Sequence, residues 1–171
     1  MRDTPGSDPA APTDVMREAV ITENGDYRYR LDRVWDSTAP TMAFVLVNPS
    51  RADAESDDQT TTRCMTYANG MGFGHVIIGN LFALRSTDPT VMKSHSTPVG
   101  PKNDEYLQDI CRESDRVVAG WGIHGTISER GREVTAALDA DWYAITTTTD
   151  GHPAHPSRTP YDTTLEPFSY D

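Results

Sequence analysis

Four short apolar runs, each closed by polar or glycine-rich residues, constrain this chain more than any other feature. They are TMAFVLV (Thr41 to Val47), HVIIGNLF (His75 to Phe82), DRVVAGWG (Asp115 to Gly122) and DWYAIT (Asp141 to Thr146). Continuous apolar runs of this length suit strands buried on both faces. Stretches of helical periodicity separate them. Thr60 to Asn69 sets Cys64, Met65 and Ala68 along one face, Asn103 to Arg112 gathers Tyr106, Leu107, Ile110 and Cys111, and Thr126 to Leu138 gathers Ile127, Val134 and Leu138. Asn103 and Thr126 are suited to helix N-termini, with acids following in the first turn. Strands alternating with helices imply right-handed crossovers, hence a four-stranded parallel sheet with helices on both faces, a three-layer α/β/α domain. Ahead of it, AVITENGDYRYRLDRVW alternates on either side of Asn24-Gly25, the pair preferred in type I′ turns, and predicts an antiparallel hairpin from Ala19 to Val34.

Residues 1–18 are rich in Pro, Asp and Ala and read as a disordered leader without the basic and apolar regions of a secretory signal. Residues 19–171 then form one α/β domain of ordinary size. No apolar stretch approaches the roughly 20 residues of a membrane span. Cys64 and Cys111 are too few for a disulfide framework and are not spaced as a metal site, so both are expected reduced, in a cytoplasmic protein without a membrane partner. The net charge is -11, and only two lysines, Lys93 and Lys102, are present. Such a surface repels a polyanion unless high salt screens it, as in organisms whose proteomes are acidic and poor in lysine.

In parallel sheets ligands bind beyond the carboxyl ends of the strands. Here those ends carry Asn48-Pro49-Ser50, Asn80-Leu81-Phe82 with Arg85 following, Trp121-Gly122-Ile123-His124-Gly125, and the loop Asp150 to Ser157 with His152 and His155. Each has an amide or an imidazole close by, and their convergence predicts a pocket. The same residues suit ordinary turns, and Asp53 to Asp58 suits a solvated acidic loop or a helix cap. Arg63 and Arg85 suit either a phosphate or those aspartates. Asp150, His152 and His155 lack a further strong ligand nearby, so no metal is expected, and no glycine-rich phosphate loop points to a nucleotide cofactor.

The series YRYRLDRVW, VNPSRAD, DDQTTTR, GFGHVIIGNLFALRSTDP, VGPKND, AGWGIHG and DGHPAHP, from about Tyr27 to Pro156, resembles the uncharacterised domain of unknown function 1643 family (DUF1643). A more distant likeness is to the uracil-DNA glycosylase superfamily. There a turn after the first strand positions water, an Asn ending the second strand reads the base, and a late His-Pro-Ser loop stabilises the leaving base. Asn48-Pro49-Ser50, Asn80 and His155-Pro156-Ser157 are similar in order and strand placement. The resemblance implies a glycosylase-like fold and a hydrolase of an N-glycosidic bond in a nucleobase-containing small molecule or nucleic acid. It implies catalytic roles for Asn48, Ser50, Asp53 and His155, with Asp57 or Asp58 as alternative bases. Asn80, Phe82, Arg63, Arg85, Trp121, His124 and His152 would bind substrate, with Phe82 or Trp121 stacking on the base. A non-catalytic nucleotide or modified-base binding protein, or a metal-dependent phosphoesterase using the same aspartates and histidines, are the competing expectations. The oligomeric state is left open.

Overall fold

The computed structural model describes residues 10–170, so the first nine residues of the expected leader lie outside the described residues. One seven-stranded sheet forms the centre, in the order β1-β2-β4-β3-β5-β6-β7. Its strands are β1 (Met16–Ile21), β2 (Arg28–Val34), β3 (Thr41–Leu46), β4 (His75–Asn80), β5 (Arg116–Ala119), β6 (Trp142–Ala144) and β7 (Glu166–Pro167). The four expected apolar runs are its middle strands, and their pairings β4–β3, β3–β5 and β5–β6 are parallel. The sheet is larger and more mixed than expected. The hairpin β1–β2 is not a separate entrance but pairs antiparallel onto β4, and β7 adds antiparallel to β6 at the other edge. β1 also opens at Met16, inside the segment expected to be leader.

The helices are α1 (Gln59–Gly70), α2 (Val91–Ser94), α3 (Asn103–Glu113) and α4 (Arg130–Ala137). Successive β3 side chains point to opposite sides, as a pleated strand requires. Ala43 and Val45 join Leu107 and Ile110 of α3 and Val134 of α4 in one buried cluster. Met42, Phe44 and Leu46 join Cys64, Tyr67 and Ala68 of α1 in the other. Cys64 is buried, Cys111 is partly buried, and neither is in a disulfide. Among the described residues no helix is long and apolar enough to cross a membrane.

Two local expectations are overturned. The Asn24-Gly25 turn is not type I′, which needs a positive φ at both residues. Only Gly25 is left-handed, at φ 79°, after a turn closed by its N–H donating to Thr22 O at 2.9 Å. The helix expected to start at Thr126 starts at Arg130. Ser128 and Glu129 both have positive φ, which separates the 3-10 turn Gly122–Glu129 from α4.

Candidate functional site

The carboxyl ends of β3 and β4 frame a narrow cleft lined by Arg28, Leu46, Asn48, Pro49, Ser50, Asp58, Thr60, Thr61, Ile78, Asn80 and His155. Its volume is only about 40 Å³, room for two or three waters at roughly 15 Å³ each. Roomier grooves of about 750 Å³ beside Trp142 and Phe168 and about 490 Å³ beside Tyr67 and Tyr161 contain none of the strand-end amides. The small cleft is the candidate site because of its unpartnered polar groups. Seven buried side-chain polar atoms lack a partner among the described residues, and three of them belong to Arg28 and Asn80.

Asn80 ends β4 at 1 % exposure, and neither its amide nitrogen nor its amide oxygen is hydrogen bonded. A buried unsatisfied amide costs about 1–3 kcal/mol per lost partner. Its backbone is nevertheless held firmly. The Asn103 amide donates to Asn80 O at 2.8 Å and Leu81 O at 3.1 Å, and Arg130 Nε donates to Leu81 O at 2.9 Å. That gives the VGPKND segment a role. Gly100, at φ 88°, lets the Tyr27 and Tyr29 rings pack against its Cα, where a Cβ would approach Tyr27 to 2.9 Å. Asn103 then braces the end of β4.

Asn48 donates through Nδ2 to Ser86 O at 2.8 Å and Pro49 O at 3.1 Å. Both acceptors are carbonyls, so the amide orientation is fixed. Oδ1 is left as an acceptor with no partner among the described residues.

Arg28 reaches the cleft through an irregularity in β2. Val20 pairs with Arg30 while the next residue, Ile21, pairs with Arg28, so Tyr29 is an extra residue, a β-bulge. A bulge re-aims the side chains beyond it. Tyr29 and Arg30 accordingly both face α3, stacking on Tyr106 and pairing with Glu113. Arg28 falls on the other side with Leu31 and Arg33, 3 % exposed. Nη1 donates to Ala52 O at 3.0 Å, Nε is buried without a partner, and Nη2 makes no hydrogen bond among the described residues. Burial lowers its pKa to about 10, against the opposing pull of Asp58.

Asp58 caps α1, accepting from Thr61 N–H and Thr61 Oγ1, both at 2.8 Å, and from Ser50 Oγ at 3.2 Å. Burial pushes its carboxyl up, but the Thr61 bonds, the charge of Arg28 and the Ser50 bond outweigh that and hold it below the usual value.

His155 closes the cleft from the last loop. Gly120, at the end of β5, leaves space that Pro156 occupies: a Cβ there would meet Pro156 Cδ at 3.1 Å and Leu46 at 3.0 Å. Arg63 of α1 clamps the loop, donating to Pro156 O at 2.8 Å and to Thr159 O, with its guanidinium 4.4 Å from the Tyr161 ring centre. The Ser157 backbone N–H donates to His155 Nδ1 at 3.2 Å. The neutral ring therefore carries its proton on Nε2. Burial, then the charges of Arg158 and Arg63, push the His155 pKa down to about 4, with Asp58 opposing. At neutral pH this imidazole is an uncharged donor.

The structure thus brings Asn48, Ser50, Asn80 and His155 together and sorts the other expected residues elsewhere. Asp53 is not in the cleft; its carboxylate accepts from the Glu55 and Ser56 N–H groups and caps a turn, and Asp58 takes its place. Phe82 and Trp121 are core residues at 1 % exposure, so neither has a face for a base. Trp121 donates to Tyr170 Oη and packs against Trp142. Arg63 supports the His155 loop, Arg85 donates to Ser50 O at 3.3 Å, and both stand behind the cleft lining. His124 is half-buried outside the lining, close enough to weaken protonation of His155. His152 is also outside it, its Nδ1 buried and unpartnered. Arg28 is a cleft residue that sequence reasoning did not single out, and Asp58 was expected there only as an alternative to Asp53. Among the described residues no three His, Cys, Asp or Glu side chains are grouped to hold a metal.

The family model described as a protein of unknown function, DUF1643, matches residues 28–157. The chain belongs to the DUF1643 family. In this DUF1643 protein the matched span opens on Arg28 in the cleft lining, closes on Ser157, which donates to His155, and takes in the Asn103 brace and the Arg63 clamp. No curated protein and no solved structure matches the chain.

Proposed function

We propose that this DUF1643 protein hydrolyses an N-glycosidic bond in a nucleobase-containing substrate, with the base entering the cleft at the ends of β3 and β4. The observation that carries this reading is Asn80, a buried amide whose donor and acceptor are both unpartnered, a pair matched to the edge of a base. The parallel strand order β4-β3-β5-β6, with helices packed on either side, supports a glycosylase-like arrangement in which these motifs fall at strand ends.

Breaking the bond leaves positive charge on the sugar and negative charge on the base. Asn48 Oδ1 accepts from a water and aims it at C1′. As the water oxygen bonds to C1′, the C1′–N electron pair leaves with the base. His155 Nε2–H, already uncharged and oriented by Ser157, donates to an acceptor of the departing base, as preorganised donors do where charge develops. The proton lost by the water passes by way of Asp58 or solvent to the base. Asp58 is a weak base, which suffices when the sugar already resembles an oxocarbenium ion. The cleft is narrower than a base, so the Pro49–Asp58 and His152–Ser157 loops part as substrate enters. Asp53, Asp57 and Asp58 are each engaged in separate hydrogen bonds, an arrangement that favours the glycosidic reading over a metal-dependent phosphoesterase.

The test is base release, read by mass spectrometry, from nucleosides, nucleotides and single- or double-stranded DNA with ordinary and altered bases, in low and high KCl. Asn48→Ala and His155→Ala are each expected to slow release by about 100-fold or more, the scale for losing one preorganised group. Release unchanged in both variants overturns the mechanism. Binding without release from any substrate would instead favour the non-catalytic reading.

A further inference from the structure

Arg28 and Asn80 sit on the neighbouring strands β2 and β4 and line the same cleft. With Nη1 anchored on Ala52 O, Nε buried without a partner and Nη2 making no hydrogen bond among the described residues, the edge left open is the Nε–H and Nη2–H pair, two parallel donors in one plane. Such a fork demands two adjacent acceptors. Asn80, in the same lining, offers an unpartnered amide oxygen that accepts.

We propose that the cleft reads a base edge with the order acceptor, acceptor, donor: two neighbouring acceptors to the Arg28 fork and the following N–H to Asn80. This rests on the nucleobase reading above and narrows it to a substrate class. Guanine and hypoxanthine present that order as N7, O6 and N1–H. Cytosine presents it as O2, N3 and the N4 amino group. Adenine and uracil present acceptor, donor, acceptor along the comparable edges, which sets an N–H against the Arg28 N–H groups. Rejection follows from repulsion and from leaving Arg28 Nε buried and unpaired. The class is therefore 6-oxopurines or cytosine, and not the uracil that the glycosylase likeness brings to mind.

The ligand itself supplies the cleanest test, because it leaves the fold untouched. Binding of guanosine, inosine, cytidine, adenosine and uridine to the full chain would be measured by calorimetry, beside 7-deazaguanosine and 3-deazacytidine, each lacking one of the two acceptors. Guanosine with inosine, or cytidine, should bind about 10- to 100-fold tighter than adenosine and uridine, the discrimination expected of a bidentate pair. The matching deaza analogue should lose a similar factor, and Arg28→Lys, which keeps the charge without the fork, should erase the difference. Preferred binding of adenosine or uridine, or a deaza analogue binding as well as its parent, overturns the edge assignment while the nucleobase reading stands. No binding by any nucleoside also overturns the edge assignment, and base release from nucleotides and DNA then decides the nucleobase reading on its own.

Discussion

Two buried arginines on one strand end up in opposite conditions. Arg33 is fully enclosed, and all five of its N–H groups are spent: on Asp57 Oδ1 at 2.6 Å, and on the carbonyls of Glu18, Asp32, Asp53 and Ser56. Arg17 adds a second guanidinium to Asp57 at 2.7 Å. Arg28, five residues earlier, spends one nitrogen on Ala52 O and leaves its bidentate edge open. Both hold the loop between Pro49 and Asp58. Only one does nothing else. The difference separates a charge whose hydrogen bonds are all made within the fold from one that, under the proposed function, is left to meet a ligand.

The contrast breaks most sharply in stability. Arg33→Met removes one of the two guanidinium partners of Asp57 and strands four carbonyls, and should lower unfolding free energy by about 3–5 kcal/mol, read as a reduced urea midpoint at constant slope. Arg28→Met removes a desolvated cation with a single bond and should cost no more than about 1 kcal/mol. Equal losses at the two sites would erase the distinction. Asn80→Leu sharpens it at the next magnitude. Replacing a doubly unpartnered amide by an apolar side chain of similar size should stabilise the protein by about 1–2 kcal/mol while abolishing ligand binding. A destabilised variant would make Asn80 a structural amide instead.

The smallest effect is a pH slope. The folded His155 pKa lies near 4, below its ordinary 6.5. Between these values the unfolded chain binds the extra proton, so the contribution to stability is full above about 6.5 and is lost as pH falls toward 4. Because the ring is only partly buried, solvent screening keeps the slope shallow. Thermal melts across that window should fall with pH in the parent and less in His155→Asn.

Much of this was legible in the chain because apolar runs and helical periods report burial directly. The parallel middle strands and α1 and α3 follow from them within three residues at either end, as do the strand-end positions of Asn48, Asn80 and His155. Phe82 and Trp121 misled for the same reason, since an aromatic at a strand end looks alike whether it stacks on a ligand or fills a core. In ADAESDD the carboxylates are interchangeable by composition; only the start of α1 one residue after Asp58 selects the one that reaches the cleft. Arg28 was hidden by the Tyr29 bulge. Counting by alternation back from Arg33 assigns it to the side of Arg30 and Asp32, and the extra residue reverses that parity.

The cleft's 40 Å³ volume carries a consequence for kinetics. Under the proposed function a base binds only while the flanking loops are apart, so the apparent dissociation constant would be the intrinsic one divided by the fraction of time spent open. Association should accordingly run slower than typical encounter rates, and its rate should level off at high ligand as loop opening takes over. A substitution that loosens the Arg63 clamp, far from any contact with the base, should then speed capture and release together.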